Sequence, residues 1–273
     1  MIQDNLFNYG NFKFLKWGLL LSVSSGFAYV LDEPRIVSNG GTPLGYTLGT
    51  IGAILILWLM WLGVRKRSYA GGSGNLRAWV SAHIYLGLSL ILVGTLHAGF
   101  QLGWNVHSLA YVLMMLTIFS GIWGLGLYVK NPKDMSDVLN RLSPEDIVTR
   151  IDSLDKDAAK MSKDINTASL SSVVSASLAQ GIYNKKSERR AGEVKHCKTE
   201  EAVNFLQKTS DIDPSAIYAL YQNQAQRLLY LKQLRKYYRY KYWLELWLAI
   251  HVPVSFGLLA SLTAHIVSVF FYW

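Results

Sequence analysis

The sequence predicts an all-α integral membrane protein: five transmembrane helices forming a bundle around paired histidines, with a polar helical insert before the last span. Three observations carry that prediction. Half of the chain is hydrophobic (51%) and only 16% is charged, with nine tryptophans, a balance foreign to ordinary water-soluble domains. Five apolar runs approach or exceed the roughly 20 residues that a bilayer crossing needs. Residues 131–241, in contrast, are dense in Lys, Arg, Asp and Glu and hold no such run. The expected organisation is 1–130 for the first four spans, 131–241 for a cytoplasmic helical insert and 242–273 for the fifth span.

The first span covers 14–31, with Lys13 and Lys16 at its start. It lacks a convincing small-residue cleavage site, so a retained helix is expected rather than a signal peptide. The loop DEPRIVSNGGTPLG is rich in turn formers and holds one basic residue against two acidic ones, which places it outside. The second span, 44–64, closes on Arg65, Lys66 and Arg67, and that basic run marks an inside end. The loop SYAGGSGNLR is then inside, and Trp79 opens a third span, 77–100, at the interface where tryptophan is enriched. The external loop QLGWNVHS carries no Lys or Arg, and the fourth span, 106–129, returns to Lys130 and Lys133.

Within the insert, Ser143-Pro144-Glu145-Asp146 starts a helix that should reach about Met161: an N-cap, proline at the first helical position, then two carboxylates near the positive end of the dipole. NTASLSSVVSASLAQGIYN has weak amphipathic spacing, and KKSERRAGEVKHCK reads as a solvated linker or hairpin. Thr199-Glu200-Glu201 and Asp213-Pro214 each start a further helix, the second leading toward the membrane. Its later part, LKQLRKYYRYKYW, mixes basic and aromatic residues as a headgroup-level anchor does. The fifth span, 243–272, therefore runs outward, parallel to the third.

The net charge of +9 gives no nucleic-acid signal, because many of the basic residues flank apolar spans. Cys197, the one cysteine in the sequence, excludes an intramolecular disulfide, a CxxCH haem attachment and a cysteine-held iron–sulfur cluster from this chain alone. Histidine is then the expected ligand of any metal redox centre.

The third span carries His83 and His97, and the fifth carries His251 and His265, each pair fourteen positions apart. Fourteen helical steps turn about 1400°, roughly 40° short of four turns, and rise about 21 Å. Both imidazoles of a span therefore point to one side, near opposite membrane faces. Parallel orientation sets His83 level with His251 inside, and His97 level with His265 outside. A lone membrane histidine is accounted for by a hydrogen bond to a neighbouring helix, but two matched pairs call for two centres. A haem suits each, since bis-imidazole ligation takes one His from each of two facing helices. Gly87, Gly94 and Gly257 would let a flat ring approach the backbone.

The segments SAHIYLGLSLILVGTLHAGF, SGIWGLGLYV and WLAIHVPVSFGLLASLTAHIVSVFFYW resemble a family of bacterial membrane di-haem cytochrome b-like proteins, and the paired histidine helices resemble the di-haem core of cytochrome b subunits. The resemblance covers all the spans and, weakly, the insert. It implies two low-spin haem b groups, with His83, His97, His251 and His265 as axial metal ligands, and transmembrane electron transfer in a bacterial inner (cytoplasmic) membrane. The N-terminus and insert would be cytoplasmic and the C-terminus periplasmic. The Pro-Glu-Trp-Tyr motif linked to quinol oxidation in the larger cytochrome b subunit is absent, so a quinol-oxidising site is not implied.

Other residues are candidates with a plain alternative. Arg77 would pair with an inner haem propionate or is one more positive-inside residue. His107 would bond the outer propionate, approach a quinone, or cap the interface. Ser120 to Gly124 has small-residue spacing suited to close packing of helices or a ring. Glu245 is a proton or quinone ligand, or the partner of Lys241 four residues earlier. Expected partners are membrane lipid, protein redox partners on one or both sides, and a candidate quinone. The competing readings are a quinone-reactive subunit of a membrane oxidoreductase, and a structural anchor whose insert docks partners and whose haems are secondary.

Overall fold

The computed structural model describes residues 7–32, 39–67, 76–130, 139, 142–165, 167–183, 186–209 and 214–271. All regular structure among the described residues is helical: α1 Tyr9–Leu31, α2 Pro43–Arg67, α3 Leu76–Ala98, α4 Val106–Lys130, α5 Pro144–Ile165, α6 Ala168–Ala179, α7 Lys186–Ala191, α8 Lys198–Lys208 and α9 Pro214–Phe271. Five of them, α1 to α4 and the 58-residue α9, are long and apolar enough to cross a membrane. Much of the loop before α2, the loop between α2 and α3, and Lys133 lie outside the described residues. The chain forms two compact units, Met1–Trp123 with Leu248–Trp273, and Gly124–Trp247.

Local chemistry sets the ends of the spans. Gly10, Asn11 and Phe12 take left-handed angles (φ 54, 57 and 61°), so the regular part of α1 begins after them. The NGGT turn opens α2: Asn39 Oδ1 accepts from the Gly41 N–H at 2.8 Å, and Thr42 Oγ1 accepts from the Gly45 N–H at 3.0 Å. Thr42 thus caps the helix, with Pro43 in its first turn. α3 stops at Ala98, short of the expected residue 100, because Gly99 and Phe100 turn left-handed (φ 58 and 60°) and their N–H groups return to Leu96 and Thr95.

In the first unit, α1 approaches α3 closely at Gly18, where a Cβ would stand 3.0 Å from the Tyr85 carbonyl oxygen. Trp79 of α3 stacks on Trp58 of α2 at 4.8 Å and receives the Arg65 guanidinium at 5.3 Å. The core joins Ile56 and Leu59 of α2, Leu90 of α3, Met114 of α4, and Leu258 and Leu262 of α9. Large apolar side chains face outward elsewhere, among them Val23, Phe27 and Val30 on α1 and Leu109, Val112, Leu116 and Phe119 on α4. A surface of that character is stable against lipid, and its backbone polar groups are satisfied within the helices.

The second unit is built on amphipathic helices. Ser143 Oγ accepts from the Asp146 N–H at 3.0 Å while the Asp146 carboxylate accepts from the Ser143 N–H at 3.1 Å, a reciprocal cap that holds the Asp146 carboxyl below its usual range. Ile147, Ile151, Leu154, Ala158, Met161 and Ile165 recur at helical spacing and enter the core, so α5 continues past Met161 to Ile165. The segments with weak or solvated sequence patterns form α6 and α7.

A buried polar cluster crosses this core. Arg227, 2% exposed, clasps Asp155 through Nε (2.6 Å) and Nη2 (3.3 Å) and donates to Thr199 Oγ1 through Nη1. Ser177 bonds both Thr199 and Gln224. Removing one member of a buried ion pair costs about 3–5 kcal/mol because its partner is left charged and dry. The two partners differ in exposure, 2% against 27%, so the cost is unequal. Asp155→Ala strands a cation that cannot reach water, whereas Arg227→Met leaves a carboxylate that can. Thermal unfolding and limited proteolysis of the full chain in detergent should show the larger loss for Asp155→Ala. Equal losses would contradict this account.

A candidate histidine site on two levels

An imidazole moved from water into hydrocarbon loses the hydrogen bond to its N–H, a cost on the order of a few kcal/mol unless a protein acceptor replaces it. His83 and His97 on α3, and His251 and His265 on α9, all belong to the first unit, and each has a replacement at Nδ1. His83 Nδ1 lies 3.2 Å from the Leu59 carbonyl oxygen, and His97 Nδ1 lies 2.8 Å from the Gly45 carbonyl oxygen. His251 Nδ1 is 2.8 Å from Ser120 Oγ. His265 Nδ1 meets Nδ1 of His107.

The partners repeat the spacing of the histidines they hold. Gly45 and Leu59 lie fourteen residues apart on α2, and His107 and Ser120 lie thirteen apart on α4. Along each supporting helix the order is reversed, so in this unit α2 is antiparallel to α3, and α4 is antiparallel to the end of α9. His97 and His265 have ring centres 5.9 Å apart with their planes at 83°. His83 and His251 are near enough to act on each other electrostatically. The imidazole-bearing segments of α3 and α9 therefore run parallel, with one histidine from each at either level.

The acceptors fix the tautomers. A carbonyl oxygen can only accept, so His83 and His97 carry their proton on Nδ1 and their lone pair on Nε2. Ser120 Oγ lies 2.8 Å from both the Thr117 carbonyl and His251 Nδ1; with its hydrogen on the carbonyl it accepts from His251, which gives His251 the same tautomer. A metal-ligating histidine has this arrangement when its second nitrogen donates to an oxygen of the protein.

Space and dryness are also built in. A Cβ at Gly49 would stand 2.6 Å from His97 Cε1 and 2.9 Å from its Nδ1, and one at Gly40 would stand 3.2 Å from the same Cε1. Gly49 lies one helical turn beyond Gly45, whose carbonyl the ring reaches. Midway between the levels, Leu90 and Leu258 are each seven residues from the histidine on either side, and they pack with Ile56 and Met114 in the buried core. No group of three or more His, Cys, Asp or Glu among the described residues is placed to hold one ion. The units of the site are pairs.

The remaining sequence candidates fall as follows. His107 stands beside His265, with ring centres 4.5 Å apart. Ser120, singled out for small-residue spacing, holds His251. Gly94 lies under Met114, whose Sδ is 3.0 Å from where a Cβ would be, while Gly87 and Gly257 face Leu59 and Leu113 at ordinary contact distance. Arg77 is exposed on the first turn of α3. Glu245 lies 3.9 Å from Lys241 and 3.7 Å from Arg189. Cys197 is buried at the N-terminus of α8, and Arg235 Nη1 lies 3.3 Å from its Sγ. The two α2 carbonyls are histidine partners that the sequence does not mark, except that the closely spaced Gly45 and Gly49 leave room beside the first of them. Comparison with protein-family models, curated proteins and solved structures finds no match to this chain.

The crowding at Gly49 is specific. Gly49→Ala should force the His97 ring off the Gly45 carbonyl, at the 1–3 kcal/mol typical of overpacking. Gly52→Ala, whose Cβ would meet only Leu90 and Val93 at 3.9 Å, should be neutral or mildly stabilising through helix propensity. Unfolding temperatures of the two variants in detergent compare them directly, and a Gly49→Ala protein as stable as Gly52→Ala would refute the crowding.

Proposed function

We propose that this chain is a di-haem b-type cytochrome subunit, carrying electrons across a bacterial inner membrane within a larger redox complex. Its axial pairs would be His83 with His251 and His97 with His265. The observation that carries the proposal is the 5.9 Å separation of the His97 and His265 ring centres, joined to the fixed tautomers. A metal–imidazole bond of about 2.0–2.1 Å, with about 1 Å more to the ring centre, puts two rings sharing one ion roughly 6 Å apart. His107 and His265, at 4.5 Å, are too close to share an ion and bond each other instead.

When bound, haem supplies a one-electron couple whose potential follows axial ligation, hydrogen bonding and burial. The residues of the chain supply the rest. Leu59, Gly45 and Ser120 orient three of the imidazoles and raise their basicity by accepting at Nδ1. The layer of Leu90, Leu258, Ile56 and Met114 separates the two levels with packed hydrocarbon. A helical rise of about 21 Å between levels spans much of a hydrocarbon core about 30 Å thick, so each centre lies near one face. Arg65 and Arg77 flank the His83 level, which makes it the cytoplasmic one. The polar second unit is the docking surface for a protein redox partner.

The purified chain should contain two haem b per polypeptide by pyridine haemochrome assay. His83→Ala and His251→Ala should each remove one haem, and the His83→Ala/His251→Ala double variant no more than one. His97→Ala and His265→Ala should remove the other. A haem-free wild-type chain, or spectra indifferent to all four substitutions, would overturn the proposal.

A further inference from the structure

Three of the four candidate axial histidines direct Nδ1 at oxygen, and the fourth directs it at a nitrogen of another side chain. We infer that His107 is the positioning residue of His265: it accepts the Nδ1–H hydrogen bond and so lowers the reduction potential of the centre that His265 would hold. The inference rests on the di-haem reading, and it goes beyond it by assigning to one named residue the difference between the two centres.

The geometry leaves His107 this role. Its ring is too near that of His265 for an ion to lie between them, and the two Nδ1 atoms face each other within hydrogen-bonding distance. Between two imidazole nitrogens one must donate and the other accept. For Nε2 of His265 to carry the ligating lone pair, as at the other three histidines, its Nδ1 must hold the proton. His107 then accepts at Nδ1 and keeps its own proton on Nε2.

His107 is the counterpart on α4 of Ser120 at the other level. It is an exposed residue in the first turn of α4, thirteen positions before Ser120, which serves His251 at the other level. An imidazole nitrogen is a stronger hydrogen-bond acceptor than a serine hydroxyl. It draws the His265 proton more strongly and makes Nε2 more electron-rich, which favours the oxidised iron.

The test uses the full chain with both haems loaded, followed by optical redox titration of wild type, His107→Leu and His107→Gln. The centre held by His265 is identified as the one missing from His265→Ala. His107→Leu removes the acceptor and should raise the potential of that centre by a tenfold or greater change in its reduction equilibrium, about 59 mV for one electron, with the other centre unmoved. His107→Gln restores an acceptor oxygen and should recover at least half of the shift. Two retained haems with unchanged potentials in His107→Leu would overturn the inference while leaving the di-haem reading intact, and equal shifts in both centres would also overturn it. If His107→Leu loses that haem, its retention in His107→Gln supports the inference and its loss from both variants refutes it. A wild-type chain without haem removes both the inference and the reading beneath it.

Discussion

An imidazole in hydrocarbon must find a partner for its N–H, and that requirement organises the membrane unit. Each of the four histidines on α3 and α9 reaches a hydrogen-bond partner on a helix other than its own: α2 for the α3 pair, α4 for the α9 pair. Those bonds tie helices together at two heights, and a slip of either supporting helix by one turn would break both of its bonds together. Apolar packing alone is less selective, since a helix covered in leucine finds similar contacts at several registers. Polar bonds in a nonpolar medium fix the register, and the Leu90, Leu258, Ile56 and Met114 core then packs around that arrangement.

The supporting helices solve the same problem by different chemistry. α2 offers main-chain carbonyls, whose second lone pair remains after the helical hydrogen bond is made. Reaching such a carbonyl from the side requires room, which the missing Cβ of Gly49 provides beside His97. α4 offers side chains, Ser120 and His107, which project from the helix and need no such opening. A carbonyl acceptor is insensitive to substitution of its own residue, whereas a side-chain acceptor can be changed by a single mutation. The α4 half of the site is therefore the adjustable half.

The sequence showed the parts of this arrangement that depend on side-chain identity and period. Five apolar runs and the fourteen-residue spacing in 77–100 and 243–272 are visible in the letters, because span length and helical phase are sequence properties. So were the N-cap at Ser143, though not its reciprocal bond to Asp146, and the start of α9 at Pro214. The carbonyls of Gly45 and Leu59 were not, since every residue has one and only tertiary placement selects which is used. Ser120 was noticed for its size rather than its hydroxyl. The stop of α3 at Ala98 instead of residue 100 depended on two left-handed residues, and Phe100 gives no sign of adopting that conformation. The regular character of α6 arose from burial of Leu170 and Val174 against neighbouring helices, which a weak local pattern does not announce.

Distance separates the roles of three histidines that the sequence alone treats alike. His97, His107 and His265 gather at one end of the unit, and His265 is close to both of the others. A pair that shares an ion must stand off by two coordination bonds, whereas a pair that shares a proton must close to hydrogen-bonding distance. The 5.9 Å gap suits the first and the 4.5 Å gap only the second. His265 stands at both distances at once, 5.9 Å from His97 and 4.5 Å from His107, with its Nδ1 turned to His107. The two rings beside His265 therefore come from different helices, α3 and α4, and the loop between α3 and α4 is short enough to bring His107 back to the level where His97 ends.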